Sequence, residues 1–390
     1  MVKIIKKTAL QLYVKIRENE FLKNVYSTNF YHNVLLVYIT TAFDKKNRYS
    51  HSNLWECKCA GEIFRDLGYN VDVINYNTKK IPNIEKYSIV YGMGETFEKL
   101  FRQKTENHTF INYATGCNPI WSNIETIKKV RNFYKRTGKM LPESSRLLSH
   151  TQHLQILLSD KVIVLGDDFV KSTYLLFDEE KDRYENLDAF FFDFHHINVQ
   201  EKNISEARKN FLWFGSAGAL HKGLDVALDF FKENKELHLH ICGLNINSES
   251  RFVKYYQKEL YETSNIHFHG FLNLQSIEMK NVLEQCGYAV FPSVSEGGAV
   301  ALLNIIANGG LIPVYSKSTG VPFQDYGFEF EDSSITQLSE AIQKAVSISD
   351  QEFAIKSQNI QNFVRENFTL NQYKGNLKSI ISKVVHDNKD

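Results

Sequence analysis

Alternation constrains this chain more than any other feature. Short apolar runs rich in β-branched and aromatic residues are followed, again and again, by stretches of helical period. "NVLLVYITTAF" (Asn33 to Phe43) reads as a buried strand. "NLWECKCAGEIFRDLG" reads as a helix with Asn53 to cap it and Gly68 to end it. The pattern continues to "DKVIVLGDDFVKSTYLL", weakens from Asp178 to Lys209, and restarts from "KNFLWFGSAG" to "LIPVYS". Such alternation implies parallel sheets with helices on both faces. A single core rarely serves 390 residues, so the break near residue 200 predicts two doubly wound Rossmann-like α/β domains, 1–200 and 201–368. "NFTLNQYKGNLKSIISKVV" makes a terminal helix within 369–390, expected to pack back on the first domain. Open sheets of this kind bind ligands at the carboxyl ends of their strands, which places a cleft between the domains.

Composition narrows the class. With 43% hydrophobic and 23% charged residues and a net charge of +1, the chain lacks the basic excess of a dedicated nucleic-acid binder. Cys57, Cys59, Cys117, Cys242 and Cys286 are an odd set without zinc spacing, so they read as reduced thiols of a cytoplasmic protein. No apolar run approaches a bilayer span. Near the amino terminus, Ile5, Ala9, Leu12 and Ile16 form a stripe with Lys6, Lys7, Lys15 and Arg17 mostly off it. That basic helix either packs on a domain, the favoured reading, or touches an anionic membrane surface peripherally.

The second half carries chemistry on three loops. In "GSAGALHKGLD" (Gly215 to Asp225), glycines let the backbone approach a ligand, and Lys222 stands at a helix entry as a point charge for phosphate. In "VFPSVSEGGAVALLNIIANGGLIPV", Glu296 precedes a run of amides at a helix start, a ready anion site. A carboxylate beside such a site can accept hydrogen bonds from hydroxyls attached to the phosphate, and phosphate plus polyol is what a nucleotide sugar presents. "HFHGFL" offers Gly270 and Phe271 to a base.

Taken in order, these runs and "ICG" resemble the nucleotide-binding half of retaining glycosyltransferases of the GT-B fold, the group 1 or family 4 type with a Glu-x7-Glu motif. The resemblance implies that Glu296 contacts the donor sugar and that Gly297, Gly298, Ala299 and Val300 cradle the diphosphate. It implies that Lys222 holds a phosphate, with Gly215, Ser216, Gly243, Gly270 and Phe271 on the donor side. Two departures stand out: the second glutamate falls on Asn304, and the arginine usual after the first glycine is Ser216. On the acceptor side the candidates are His51, Ser52 and Asn53, then Thr115 and Asn118, the last where a histidine is expected; His108, His150 and His153 are either its substitutes or, the favoured reading, ordinary histidines. Arg131, Arg136, Lys139 and Arg146 read as a solvated face rather than a site for an anionic acceptor.

The resemblance further implies a metal-independent hexosyl transfer, without cofactor, from a nucleotide sugar to a sugar, lipid-linked sugar or other hydroxyl, in bacterial polysaccharide or lipopolysaccharide synthesis. A weak sugar-nucleotide-binding subunit, or an epimerase or phosphorylase of the same fold, is the alternative.

Overall fold

A computed structural model of the chain describes residues 20–44, 51–149 and 151–387. The basic amino-terminal stretch and His150 lie outside them.

The first sheet comprises β1 (Phe21–Leu22), β2 (His32–Tyr38), β3 (Tyr69–Asn75), β4 (Ile89–Gly92), β5 (Thr109–Ala114), β6 (Lys161–Leu165) and β7 (Tyr184–Leu187). Its order is β1-β3-β2-β4-β5-β6-β7; all pairs are parallel except β1 with β3. The second comprises β8 (Asn210–Phe214), β9 (His238–Cys242), β10 (Ile266–Gly270), β11 (Tyr288–Phe291), β12 (Ile312–Ser316) and β13 (Phe328–Phe330). It is wholly parallel, in the order β10-β9-β8-β11-β12-β13. Two doubly wound domains are thus present, as the alternation predicts. Strands covered on both faces read as continuous apolar runs, and Val34 to Tyr38 are all buried.

The differences from the sequence reading are local. The apolar run from Asn33 leaves the sheet at Tyr38 and turns through a 3-10 segment, Thr40–Phe43. The next helix, Ser52–Asp66, is capped by the His51 side chain, which accepts from the Asn53 amide, so Asn53 is not the cap. Gly68, at φ +88°, ends it as expected. β7 falls inside the stretch that lacked clear periodicity: it is a short edge strand, where alternation has little room to show.

After β7 the chain runs from 188 to 198 without regular structure and crosses to the second domain. Two asparagines of the Val300–Gly309 helix hold this crossing. Asn304 accepts from the Phe192 amide at 2.8 Å, and Asn308 accepts from the amides of Phe194 and His195 at 2.8 and 2.6 Å. The terminal helix, Leu370–Asp387, packs on the Ser52–Asp66 helix: buried Tyr373 meets the Tyr113 hydroxyl of β5 at 3.0 Å, and Lys374 pairs with Glu62. A second bridge joins the Pro119–Thr137 helix to the Leu224–Phe231 helix. There Lys129 meets Asp225 at 2.9 Å, and Arg136 pairs with Asp225 and Asp229. Arg136 therefore ties the domains together and is not part of a solvated face. Among the described residues, no helix is long and apolar enough to cross a membrane.

Candidate active site

The strand order of the second sheet reverses between β8 and β11, and the crevice at such a switch point is where open sheets take ligands. Lys222 sits on the loop after β8 and Glu296 on the loop after β11. Topology alone brings the two together: Lys222 Nζ lies 2.6 Å from Glu296 Oε1. Ser293 Oγ donates to the same oxygen at 2.8 Å, and Arg146 Nη1 lies 3.9 Å from Oε2. Burial works against the charged carboxylate, but Lys222 and Arg146 outweigh it and hold its pKa down at about 2. Glu296 is ionised at any working pH.

The backbone around Glu296 is shaped for close approach. Gly298 and Ala299 take positive φ, +63° and +31°. A Cβ on Gly297 would fall 2.5 Å from the Thr115 carbonyl oxygen of the opposite domain, so only glycine lets the loops meet there. The helix that follows starts at Val300 without a side-chain cap. Among the described residues, the N–H groups of Gly297 through Ala301 find no acceptor. Orphan amides at the positive end of a ten-residue helix make a site for anionic oxygen.

A cavity of about 260 Å³ opens beside this loop, lined from the second domain by His221, Ser295, Glu296 and Gly297, and from the first by Thr115, Gly116, Cys117 and Arg146 among others. His221 bridges its walls: Nε2 lies 2.7 Å from the Ser295 carbonyl and Nδ1 3.1 Å from Thr126 Oγ1. A carbonyl can only accept, so Nε2 carries the proton and Nδ1 accepts from the threonine. Burial pushes the ring's pKa down to about 4, which keeps it neutral.

The other expected residues fall into two groups. Gly215, Gly243 and Gly270 form a row at the carboxyl edge of the sheet, where the Gly215 amide donates to Cys242 and the Gly243 amide to Gly270. Ser216 is exposed on that edge, and Phe271 projects 78% exposed, apart from the cavity beside Glu296. Asn304 is buried, with Oδ1 on Phe192 N and Nδ2 on Val300 O, so both ends of its amide already have protein partners. In the first domain Thr115 lines the cavity. Asn118 caps the Pro119–Thr137 helix through the Ile120 amide, while His51 caps its own helix and Ser52 is buried against Glu56. His108 is buried between Thr105 and the Ile84 carbonyl. Sequence reasoning passed over His221, although it adjoins Lys222, and left Arg146 on a solvated face.

No curated protein matches the chain in sequence. Among solved structures, a mutant of S. aureus TarM, in complex with Fondaparinux, alpha-GlcNAc-glycerol and UDP, is similar at 16% identity and a TM-score of 0.53; the match covers 76% of this chain but 55% of TarM. Anabaena HepE in complex with UDP-glucose is similar at 11% identity and a TM-score of 0.59, over 90% of this chain and 99% of HepE. Sucrose-phosphate synthase from Thermosynechococcus elongatus is similar at 11% identity and a TM-score of 0.62, over 91% and 100%. These likenesses establish the GT-B fold. Residues 197–362 match the model of the family described as "Glycosyl transferases group 1", and together with the fold this match supports a group 1 glycosyltransferase.

Proposed function

We propose that this protein transfers a hexosyl group from a nucleoside diphosphate sugar to a hydroxyl acceptor, with retention and without a metal. One observation carries the reading: at the switch point, amides without acceptors adjoin a lysine paired with a carboxylate. In this reading the Gly297–Ala301 amides and Lys222 bind the diphosphate, and Glu296 accepts hydrogen bonds from the donor sugar. The bond between the anomeric carbon and the phosphate oxygen breaks with its electron pair going to the diphosphate. The acceptor oxygen bonds the same carbon from the same face, and its proton goes to the leaving diphosphate. Preorganised amides and a cation stabilise the charge that develops on the leaving group. Closure of the two domains brings donor and acceptor together. TarM and HepE were solved with UDP, or with UDP-glucose, which makes uridine donors the first to try. Synthesis of a bacterial polysaccharide or lipopolysaccharide on the cytoplasmic side of the membrane is the setting we infer.

A panel of nucleotide sugars tested by thermal shift, then by turnover with hydroxyl acceptors in excess chelator, tests this. Specific donors should raise the melting temperature by mass action, and transfer should persist without free divalent metal. Failure of every donor to bind would sink the reading; activity lost in chelator and restored by manganese would sink its metal-free part. The engagement of Asn304 by the crossing segment favours a second reading, a weak nucleotide-sugar-binding subunit, for which donor stabilises the fold but no acceptor supports turnover.

A further inference from the structure

We infer that Arg146 is the second cation of the donor diphosphate, supplied to the nucleotide-binding domain by the opposite domain. The inference rests on the nucleotide-sugar reading of the cleft and adds a residue to it.

Arg146 lies on the segment between the Pro119–Thr137 helix and the Thr151–Leu158 helix, and that segment is anchored to both domains. On the first-domain side, Leu148 N donates to Asn123 Oδ1 at 2.7 Å, and Asn123 Nδ2 donates to Leu148 O at 2.9 Å. On the second-domain side, the Ser144 carbonyl accepts from the His221 amide at 3.2 Å, and Glu143 lies 3.6 Å from Arg251. Arg146 stands between the anchors. Its stem lies on Gly218 of the Lys222 loop, where a Cβ would come within 2.7 Å of Arg146 Cδ. Gly218 also has φ +82°, so this point suits glycine twice over: for its own backbone and for the arginine above it.

The guanidinium then reaches the cavity beside Glu296 and Gly297. Its nearest carboxylate oxygen is 3.9 Å away, and it makes no hydrogen bond among the described residues. Arg136, an arginine of the first domain that also faces the second, has both its carboxylate partners close at hand. Arg146 thus brings unused donors to a loop whose amides lack acceptors. A planar guanidinium suits phosphate oxygens in pairs. Lys222, paired with Glu296 beside those amides, lacks the companion arginine of the resemblance, because Ser216 occupies that position. In this arrangement the positive charge facing the diphosphate is complete only when the domains are closed.

The test is calorimetric titration of wild type, Arg146→Ala and Arg146→Lys with UDP, ADP and GDP, with the matching nucleoside followed by ligand-observed NMR. For the diphosphate that binds wild type, Arg146→Ala should weaken binding about 10- to 100-fold, the range for a lost charge-assisted contact, and leave the nucleoside unaffected. Arg146→Lys should retain part of the affinity, which a merely structural role would not distinguish; it also serves if the alanine variant fails to fold. Diphosphate affinity unchanged in both variants, or a loss shared equally by the nucleoside, would overturn the assignment of Arg146 alone. Absence of binding by all three diphosphates to wild type would overturn the underlying reading and this inference with it.

Discussion

The two walls of the cleft handle their polar groups in opposite ways. On the second-domain side, the Gly297–Ala301 amides have no acceptor among the described residues, and Lys222 and Glu296 hold each other at 2.6 Å. On the facing side, Asn118 and Gly116 are satisfied from within their own domain: Asn118 caps its helix and donates its backbone N–H to Thr173 Oγ1, and the Gly116 carbonyl accepts from Tyr174. A buried polar group costs free energy unless it is partnered, so a wall with unmet amides is built to receive a ligand. The satisfied wall supplies shape. Recognition from that side rests on what projects from it, and Arg146 is the clearest case.

The largest expected effect breaks the first wall at its carboxylate. Glu296→Gln keeps shape and one acceptor but removes the charge, so hydrogen bonds to sugar hydroxyls weaken. Transfer should fall by orders of magnitude while affinity for the bare nucleoside diphosphate changes little. Measuring turnover, diphosphate affinity and melting temperature on the one variant decides the matter. Lost stability with normal turnover per folded molecule would mean that Glu296 serves only the fold.

Next comes Lys222→Ala. Losing a charge-assisted contact should cost diphosphate binding on the order of 1.5–3 kcal/mol. The close pairing adds a consequence that loop spacing did not reveal. The variant leaves a mostly buried carboxylate without its nearest cation, so stability should also fall, by about 1–3 kcal/mol. Adding Glu296→Gln to Lys222→Ala should restore part of that stability and none of the affinity. A double variant no more stable than Lys222→Ala would show that the pair is not coupled in the fold.

What was legible in the sequence was local. Strand–helix alternation and the glycine loop each lie within one stretch of chain, and both were visible. Arg146 and His221 act across the domain boundary, and no periodicity reports a contact between residues as far apart as Thr126 and His221, separated by 95 positions. Asn304 shows the limit most clearly. The resemblance set it at the second glutamate of the donor motif, yet the crossing segment places Phe192 N on its Oδ1. Asn304→Ala should therefore destabilise the protein by about 1–3 kcal/mol, the cost of orphaning a buried amide, with little change in diphosphate affinity. A loss of affinity without a loss of stability would return Asn304 to the donor site.

The most gradual effect concerns the group that joins the walls. His221 binds Ser295 O from one side and Thr126 Oγ1 from the other, and burial pushes its pKa from 6.5 down to about 4. Between those values the unfolded chain binds a proton that the folded protein refuses. The contribution of His221 to stability is thus complete above pH 6.5 and declines as pH falls toward 4, by up to about 1.4 kcal/mol per pH unit. His240, pushed down to about 3 by burial and its histidine neighbours, adds a slope of the same sign from a site remote from the cleft. His221→Gln keeps an N–H donor and cannot titrate, so it isolates the contribution of the cleft. Urea denaturation from pH 7 to pH 4 should give the variant a shallower loss of stability than wild type, with the His240 slope left in both. Parallel curves would mean that His221 is not held neutral between the walls, and that the domains meet there without its help.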